Sequence, residues 1–161
     1  MAVIRVLIVD DHPVLRRGLR HLLCAYEDIE VVGEAENGRI AVQLARKLKP
    51  GIVIMDIGMP ELNGMDASRQ ILAELPGTKI IALSMYSDRR FVTEMFKAGV
   101  SGYLLKDCAF DELAQAIKSV GSNQKYVSPA IACTVIDSYL HKSGLTGPVV
   151  QGFNQHLLMG R

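Results

Sequence analysis

The sequence has few of the features that mark several large classes of protein. Its three cysteines, Cys24, Cys108 and Cys133, form an odd set without a CxxC pair, which argues against a disulfide framework or a zinc site. The formal net charge of the 161 residues is only +1, so there is no electrostatic reason to expect nucleic-acid binding by this chain alone. No stretch has enough consecutive apolar residues to span a bilayer. We therefore expect reduced thiols, a cytoplasmic location and no membrane partner.

The short motifs of several enzyme classes are also missing. There is no GxxxxGK[ST] for P-loop nucleotide binding, no GxGxxG after the first apolar run, no GxSxG elbow and no HExxH pair. The composition, 49% hydrophobic and 22% charged, is that of an ordinary globular domain with enough apolar residues for a full core. The function therefore has to come from a different set of side chains.

Short apolar runs alternate with stretches of helical periodicity along most of the chain. Five runs, at 4–9, 29–35, 52–56, 79–83 and 102–105, predict strands, and a helical pattern follows each. The run at 52–56 has no polar residue before Asp56, which is typical of a strand buried on both faces of a parallel sheet. We predict an α/β fold: a doubly wound five-stranded parallel sheet, order 2-1-3-4-5, flanked by five helices.

The carboxyl-terminal part of the chain departs from this alternation. Residues 121–125 have the composition of a linker, and Ser128-Pro129 opens an extra helix with Ile131, Ile136 and Leu140 on one side. Beyond this helix the periodicity is lost. We predict one domain over 1–121, a linker with a helix over 122–144, and an irregular tail over 145–161.

Reactive side chains follow four of the five predicted strands. Asp10 and Asp11 follow the first, Asp56 ends the third, Ser84 follows the fourth and Lys106 follows the fifth. Because the carboxyl ends of parallel strands meet at one edge of a sheet, we expect these side chains to converge there. Three neighbouring carboxylates require a cation, and Mg²⁺ or Mn²⁺ is the natural one. With an ammonium and a hydroxyl nearby, the set indicates a site at which a carboxylate attacks a phosphoryl group.

Each of these residues also has a simpler structural explanation. Asp10 and Asp11 could cap the first helix, Lys106 could be an ordinary surface lysine, and Ser84 could bond the backbone at a strand end. His12, next to the acids, is interpreted as a local capping or packing residue. Chance would not place all of the reactive types at carboxyl strand ends, so the joint arrangement favours the functional interpretation.

Five motifs, in this order and spacing, resemble the receiver domain of bacterial two-component response regulators. The resemblance covers about residues 3–120, and the first and last motifs point to the NarL/FixJ class of transcription regulators. Receiver domains have the flavodoxin-like fold, whose known strand order is 2-1-3-4-5. The motifs are Val9-Asp10-Asp11-His12-Pro13, Met55-Asp56-Ile57-Gly58-Met59-Pro60, Leu62-Asn63-Gly64, Leu83-Ser84 and Ala98-Gly99-Val100-Ser101-Gly102-Tyr103-Leu104-Leu105-Lys106.

The resemblance implies a phosphorylation site. Asp56 would accept a phosphoryl group from the phosphohistidine of a sensor histidine kinase. Asp11 and Asp56 would bind Mg²⁺ directly, together with the backbone carbonyl of Gly58, and Asp10 would act mainly through water. Lys106 would pair with the phosphoryl oxygens. Such a protein is a regulator that assists its own phosphorylation and dephosphorylation, not an enzyme.

The resemblance also implies a conformational switch. Ser84 would move to hydrogen-bond the phosphoryl group. Tyr103, which on its own is more simply a core residue, would turn inward into the space released. The altered face could then serve homodimerisation or output.

Two features depart from the family's pattern. Gly51 stands where aspartate is usual, away from the expected chemistry. Regulators of this class continue after a Leu-Thr pair, here Leu145-Thr146, into a helix-turn-helix domain that reads DNA, whereas here Gly147-Pro148 follows. We therefore expect either a truncated chain with a foreign tail or a natural receiver-only product, and DNA binding only through an output domain that this chain lacks.

Three functions are compatible with these residues. The first is a phosphorylation-controlled receiver whose longer parent regulates transcription. The second is a stand-alone receiver that acts by protein–protein interaction or as a phosphate sink. The third, a metal-dependent hydrolase, ranks lowest because no second general acid or substrate pocket is evident.

Overall fold

The structure, a computed structural model, describes residues 2–59, 63–85 and 89–142. The motif residues Pro60 and Leu62 lie outside these residues, as do the end of the predicted linker segment, at 143–144, and the predicted tail over 145–161. Within the described part of the chain, no helix combines the length and the apolar character needed to cross a bilayer.

The strands form one parallel sheet with the order β2-β1-β3-β4-β5-β6. The predicted doubly wound fold and the order of the first five strands are thereby confirmed, and the sheet has one strand more than predicted. The strands are β1 Ile4–Val9, β2 Ile29–Ala35, β3 Ile52–Asp56, β4 Lys79–Ser84, β5 Gly102–Leu105 and β6 Tyr126–Val127.

The additional strand, β6, lies in the segment predicted as a linker. Tyr126 pairs with Gly102 and Val127 with Tyr103, parallel to β5. Two residues are too few to show the alternation by which a strand is recognised in a sequence. The pairing therefore depends on the tertiary contact with β5 and is not evident from local pattern.

The helices pack on both faces of the sheet. Asn37 begins the second helix by accepting a hydrogen bond from the backbone N–H of Ile40 (2.8 Å), and Asn63 does the same for Asp66 in the third (2.9 Å). Gly99, at φ 104°, follows the fourth helix, as its position in the sequence predicts. The helices are α1 Pro13–Leu23, α2 Gly38–Leu48, α3 Gly64–Glu74, α4 Arg89–Lys97, α5 Ala109–Gly121 and α6 Pro129–Lys142, with a 3-10 turn at Lys106–Cys108.

Alternate residues of each strand belong to two separate hydrophobic cores. Val6 and Ile8 of β1 pack with α1 and α5 on one face, whereas Leu7 and Val9 pack with α2, α3, α4 and Ile131 of α6 on the other. All five residues of β3 are buried, because helices cover both of its faces. The sheet is therefore rigid at the edge where β1, β3, β4 and β5 end together.

An ion-pair cluster fastens α1 to the edge strand β2. The carboxylate of Glu34 accepts hydrogen bonds from Arg16 Nε (2.9 Å) and from Nη1 of Arg20. Burial raises the pKa of Glu34, but the hydrogen bonds and charges of the two guanidinium groups outweigh it, so the pKa lies below its ordinary value. The carboxylate of Glu34 therefore stabilises the fold as an anion.

We predict that Glu34→Gln lowers the free energy of unfolding at pH 7 by about 1 kcal/mol, because two charged hydrogen bonds are weakened at a partly exposed site. The lowered pKa sets the sign: the contribution of the carboxylate is complete above the ordinary value of 4.5 and disappears as the pH falls through the lowered pKa. Urea unfolding across this range measures the effect. Glu36→Gln, which makes the same charge change at an exposed site, is the control. The assignment would be contradicted if the difference in unfolding free energy between Glu34→Gln and the wild type did not become smaller as the pH falls.

Candidate functional site

Two buried acids and one lysine meet at the carboxyl edge of the sheet. Asp10 directly follows β1 and is fully buried, and Asp56, the last residue of β3, is only 2% exposed. Lys106 follows β5, and its Nζ lies 2.8 Å from Oδ2 of Asp56 and 3.5 Å from Oδ2 of Asp10. The structure thus brings together three of the side chains that the sequence predicts at this edge.

The ammonium of Lys106 is held in its charged form by these acids. Its side chain is 8% exposed. Burial lowers the pKa of Lys106, but the hydrogen bond to Asp56 and the charges of Asp10 and Asp56 outweigh burial and raise the pKa above its ordinary value. Lys106 is therefore a permanent positive charge beside the Asp56 carboxylate at neutral pH.

Asp10 and Asp11 do not cap helix α1, although capping was the simpler explanation for these two residues. The N-cap of α1 is His12, which makes no side-chain cap hydrogen bond. Oδ1 of Asp10 instead accepts a hydrogen bond from the backbone N–H of His12 (2.7 Å). Nδ1 of His12 lies 3.0 Å from that same oxygen and 3.1 Å from Oδ1 of Asp11. His12 therefore occupies the N-cap position, as its interpretation as a capping residue expects. Its imidazole, however, faces the acids and does not cap the helix.

The acidic cluster fits a hard divalent cation. Asp10, Asp11, His12 and Asp56 each offer one possible ligand atom, and these atoms lie within 4.8 Å of one another. Oδ2 of Asp10 and Oδ1 of Asp11 are buried atoms that make no hydrogen bond within the described part of the chain. Three carboxylates carry more negative charge than Lys106 alone neutralises, and carboxylate oxygens are the ligands that Mg²⁺ prefers. The donor set therefore matches the magnesium site predicted from the sequence.

The loop after β3 is built against Asp56. The backbone N–H of Gly58 donates a hydrogen bond to Oδ1 of Asp56 (2.9 Å), which orients the carboxylate. A Cβ on Gly64 would lie 2.2 Å from the backbone oxygen of Asp56, so only glycine fits there. Asn63 is thus the N-cap of α3, and Gly64, the first residue of that helix, lies in close contact with the site. The predicted role of the Gly58 carbonyl as a metal ligand stays a prediction.

Ser84 and Tyr103 are both buried near this edge. Ser84 ends β4 and is aligned with Leu105 of β5, one residue beyond the Asp56–Leu83 pair. Tyr103 is fully buried in the core that α4 covers, in agreement with its simpler explanation as a core residue. Their predicted parts in a switch stay predictions.

Arg16 is a site contact that the sequence did not indicate. Its Nη1 donates a hydrogen bond to the backbone oxygen of Asp10 (2.6 Å) while its Nε binds Glu34. In the sequence Arg16 is simply a polar residue on the outer side of an amphipathic helix. Its spacing of six residues from Asp10 is the only signal available, and that spacing is too common to be specific.

The comparisons with known proteins agree on one family. A family model described as "Response regulator receiver domain" matches residues 6–118. The protein "Transcriptional regulatory protein DegU" of Brevibacillus brevis is 38% identical over 136 residues, which cover 84% of this chain and 58% of that protein. "Response regulator GacA" of Pseudomonas aeruginosa is 40% identical over 129 residues, covering 80% of this chain and 60% of that protein.

A solved structure gives the same result. The two-component response regulator of the LuxR family from Aurantimonas sp. SI85-9A1 is similar with a TM-score of 0.82 and 33% sequence identity, over 86% of this chain and 99% of that chain. In contrast, this chain spans only about 60% of the length of the curated relatives that it matches.

We predict that Mg²⁺ stabilises this protein and that Asp11→Ala removes most of the effect. At an Mg²⁺ concentration ten times its dissociation constant, binding to the folded state alone adds about 1.4 kcal/mol to the free energy of unfolding. For a domain of this size that raises the midpoint of thermal unfolding by roughly 4 °C. Calorimetric scans with and without Mg²⁺ measure the shift. Asp111→Ala, which removes an exposed aspartate of α5, should keep the full shift, and an undiminished shift in Asp11→Ala would refute the ligand assignment.

Proposed function

This chain belongs to the response regulator receiver domain family, and from that membership and the geometry of the acidic edge we propose that Asp56 is its phosphoacceptor. The donor would be the phosphohistidine of a sensor histidine kinase. The observation that carries the proposal is the 2.8 Å contact between Lys106 Nζ and Oδ2 of Asp56, beside two further aspartates. A buried carboxylate, a paired ammonium and a site suited to a divalent cation together supply the nucleophile and the positive charge that phosphoryl transfer requires.

The transfer itself needs only positioning and charge. An oxygen of the Asp56 carboxylate attacks the phosphorus atom, the bond from phosphorus to the imidazole nitrogen breaks, and the electron pair stays on that nitrogen. The ammonium of Lys106 offsets the repulsion between the attacking carboxylate and the anionic phosphoryl oxygens, and then pairs with one of those oxygens. The hydrogen bond from Gly58 keeps Oδ1 of Asp56 in place.

The remaining acids are proposed as the metal site. Asp10, Asp11, Asp56 and the backbone carbonyl of Gly58 would hold Mg²⁺ or Mn²⁺, which would supply the additional positive charge that the phosphoryl oxygens require. The two buried oxygens without a hydrogen bond, on Asp10 and Asp11, support this proposal.

We propose that phosphorylation shifts the protein toward a conformation that the unphosphorylated protein already adopts. Ser84 would donate a hydrogen bond to a phosphoryl oxygen, and Tyr103 would stay in the inward position. Because Tyr103 is fully buried in this structure, phosphorylation need not create the inward conformation and has only to favour it. The face formed by α4 and β5 would then serve homodimerisation on phosphorylation or contact with an output domain.

We propose the regulation of transcription only for a longer protein that carries this receiver domain together with an output domain. The relatives named above are called a transcriptional regulatory protein and a response regulator, and each extends well beyond the matched region. In that arrangement residues 1–121 are the receiver, 122–144 connect it, and an output domain elsewhere binds DNA. The receiver regulates and assists its own phosphorylation and dephosphorylation in the cytoplasm.

We predict that a small phosphodonor with Mg²⁺ adds one phosphate to the wild-type protein and none to Asp56→Asn, because the amide cannot act as the nucleophile. Intact-mass spectrometry measures the addition, and Asp111→Asn is the control that should be labelled like the wild type.

Two results would contradict the proposed function. Labelling of Asp56→Asn at the wild-type level would place the phosphate on another residue. Rapid multiple turnover of unrelated phosphoesters, without a phosphorylated protein, would indicate a hydrolase.

A further inference from the structure

Ser128 joins the end of β5 to the start of α6. It is fully buried, and its backbone N–H donates a hydrogen bond to the carbonyl of Tyr103 (3.1 Å). Its Oγ accepts a hydrogen bond from the backbone N–H of Leu105 (3.4 Å). Its carbonyl accepts from Ile131 (2.9 Å) and Ala132 (3.0 Å) in the first turn of α6. One serine therefore binds two residues of a central strand and two residues of a helix.

The hydroxyl of Ser128 extends the sheet beyond the end of β6. The last backbone pair between the two strands is Tyr103 with Val127, so no further residue of β6 is aligned with Leu105. A buried N–H without an acceptor is unfavourable, and Oγ of Ser128 supplies the acceptor that the strand does not. Leu105 is thereby fixed at the point where β5 ends.

The position at which β5 ends determines where the side chain of Lys106 lies. Lys106 is the next residue, the first of a 3-10 turn outside the sheet, and its long side chain must reach Oδ2 of Asp56. Leu105 is aligned with Ser84 of β4 on one side, and on the other side it is held by the hydrogen bond to Ser128, directly before Lys106. A shift of this strand end would move the ammonium relative to Asp56 and Asp10.

The helix α6 cannot move without affecting Ser128. Ile131 is fully buried in the same core as Val92, Met95 and Tyr103, so α6 is an integral part of the α4 side of the fold. Residues 126–131 lie beyond residue 118, the end of the region that the receiver family model matches. The contact between α6 and the strand that carries Lys106 thus belongs to the extension of this chain.

We propose that Ser128 is a positioning residue for Lys106, which couples the docking of α6 to the binding of a phosphoryl group at Asp56. The inference rests on the proposed function, because it assumes that Lys106 meets phosphoryl oxygens. Since coupling between two sites is reciprocal, an undocked α6 weakens phosphoryl binding, and a bound phosphoryl group strengthens the docking of α6.

The test uses beryllofluoride, a stable mimic of a phosphoryl group, and compares Ser128→Ala with the wild type. Affinities for Mg²⁺ alone and for beryllofluoride at saturating Mg²⁺ are measured by NMR titration of backbone amides. We expect Ser128→Ala to bind beryllofluoride at least fivefold more weakly. Its affinity for Mg²⁺ should stay within twofold or become tighter, because Lys106 competes with the ion for Asp10 and Asp56. Equal weakening of both affinities would show a general structural defect and overturn the proposal.

Two further variants separate positioning from the loss of any buried serine. Ser68→Ala removes a fully buried hydroxyl of α3 that makes no hydrogen bond within the described residues, and it should bind beryllofluoride as the wild type does. Ser128→Thr keeps the hydroxyl and should restore the affinity to within twofold of the wild type. A Ser68→Ala defect as large as that of Ser128→Ala, or a wild-type affinity in Ser128→Ala, would each overturn the proposal.

A measurement on the wild type needs no variant to fold. Reciprocal coupling requires that beryllofluoride slows hydrogen exchange of the backbone amides of Leu105, Ile131 and Ala132, and unchanged exchange at these amides would refute it. Failure of the proposed function looks different, since the wild-type protein would then bind no beryllofluoride at the acidic edge at all.

Discussion

The pairing of one ammonium with two buried carboxylates governs the chemistry and the architecture of this molecule. Lys106 and Asp56 are 50 positions apart in the chain, and the parallel sheet brings Nζ of Lys106 to within 2.8 Å of Oδ2 of Asp56 because β3 and β5 end at the same edge. A buried carboxylate without a partner is strongly unfavourable, and Lys106 supplies a partner to both Asp56 and Asp10. In the proposed function the same ammonium offsets the repulsion between the Asp56 carboxylate and an anionic phosphoryl group.

The positive charge of Lys106 does not balance the negative charge of the acidic cluster, so the cluster favours function at a cost to stability. Lys106 pairs with Asp10 and Asp56 while Asp11 lies in the same cluster, and one buried oxygen each of Asp10 and Asp11 makes no hydrogen bond within the described part of the chain. A core selected for stability alone would replace these acids, because packed apolar side chains commonly equal or exceed a buried ion pair in stability. The two hydrophobic cores on the faces of the sheet offset the cost. The rigidity of β3, buried along its whole length, keeps Asp56 in a fixed position despite the repulsion around it.

The sequence predicts most of this arrangement because its strongest signals are local. Unbroken apolar runs mark the buried strands, and parallel strands bring the residues after each run to one edge, so Asp10, Asp56 and Lys106 are predicted to lie together. The features that the sequence does not reveal depend on geometry without a local pattern. The imidazole of His12 faces the acids through its rotamer, Arg16 reaches the Asp10 carbonyl across a helix turn, and β6 pairs through only two residues.

For the same reason, the sequence predicts the acidic edge better than it predicts the contacts of the β6–α6 extension. The reactive residues are short, charged and tied to strand ends, so their positions follow from the fold that the whole family shares. The β6–α6 extension is held by pairing with β5, by the buried Ser128 and by Ile131 in the core, and of these only Ile131 has a recognisable periodicity in the sequence. β5 leads directly into Lys106 and is bonded to Ser128 just before α6, so it connects the reactive edge with the start of that helix. The proposed coupling between Asp56 and α6 would therefore run over a short distance, through hydrogen bonds that are already present in the fold.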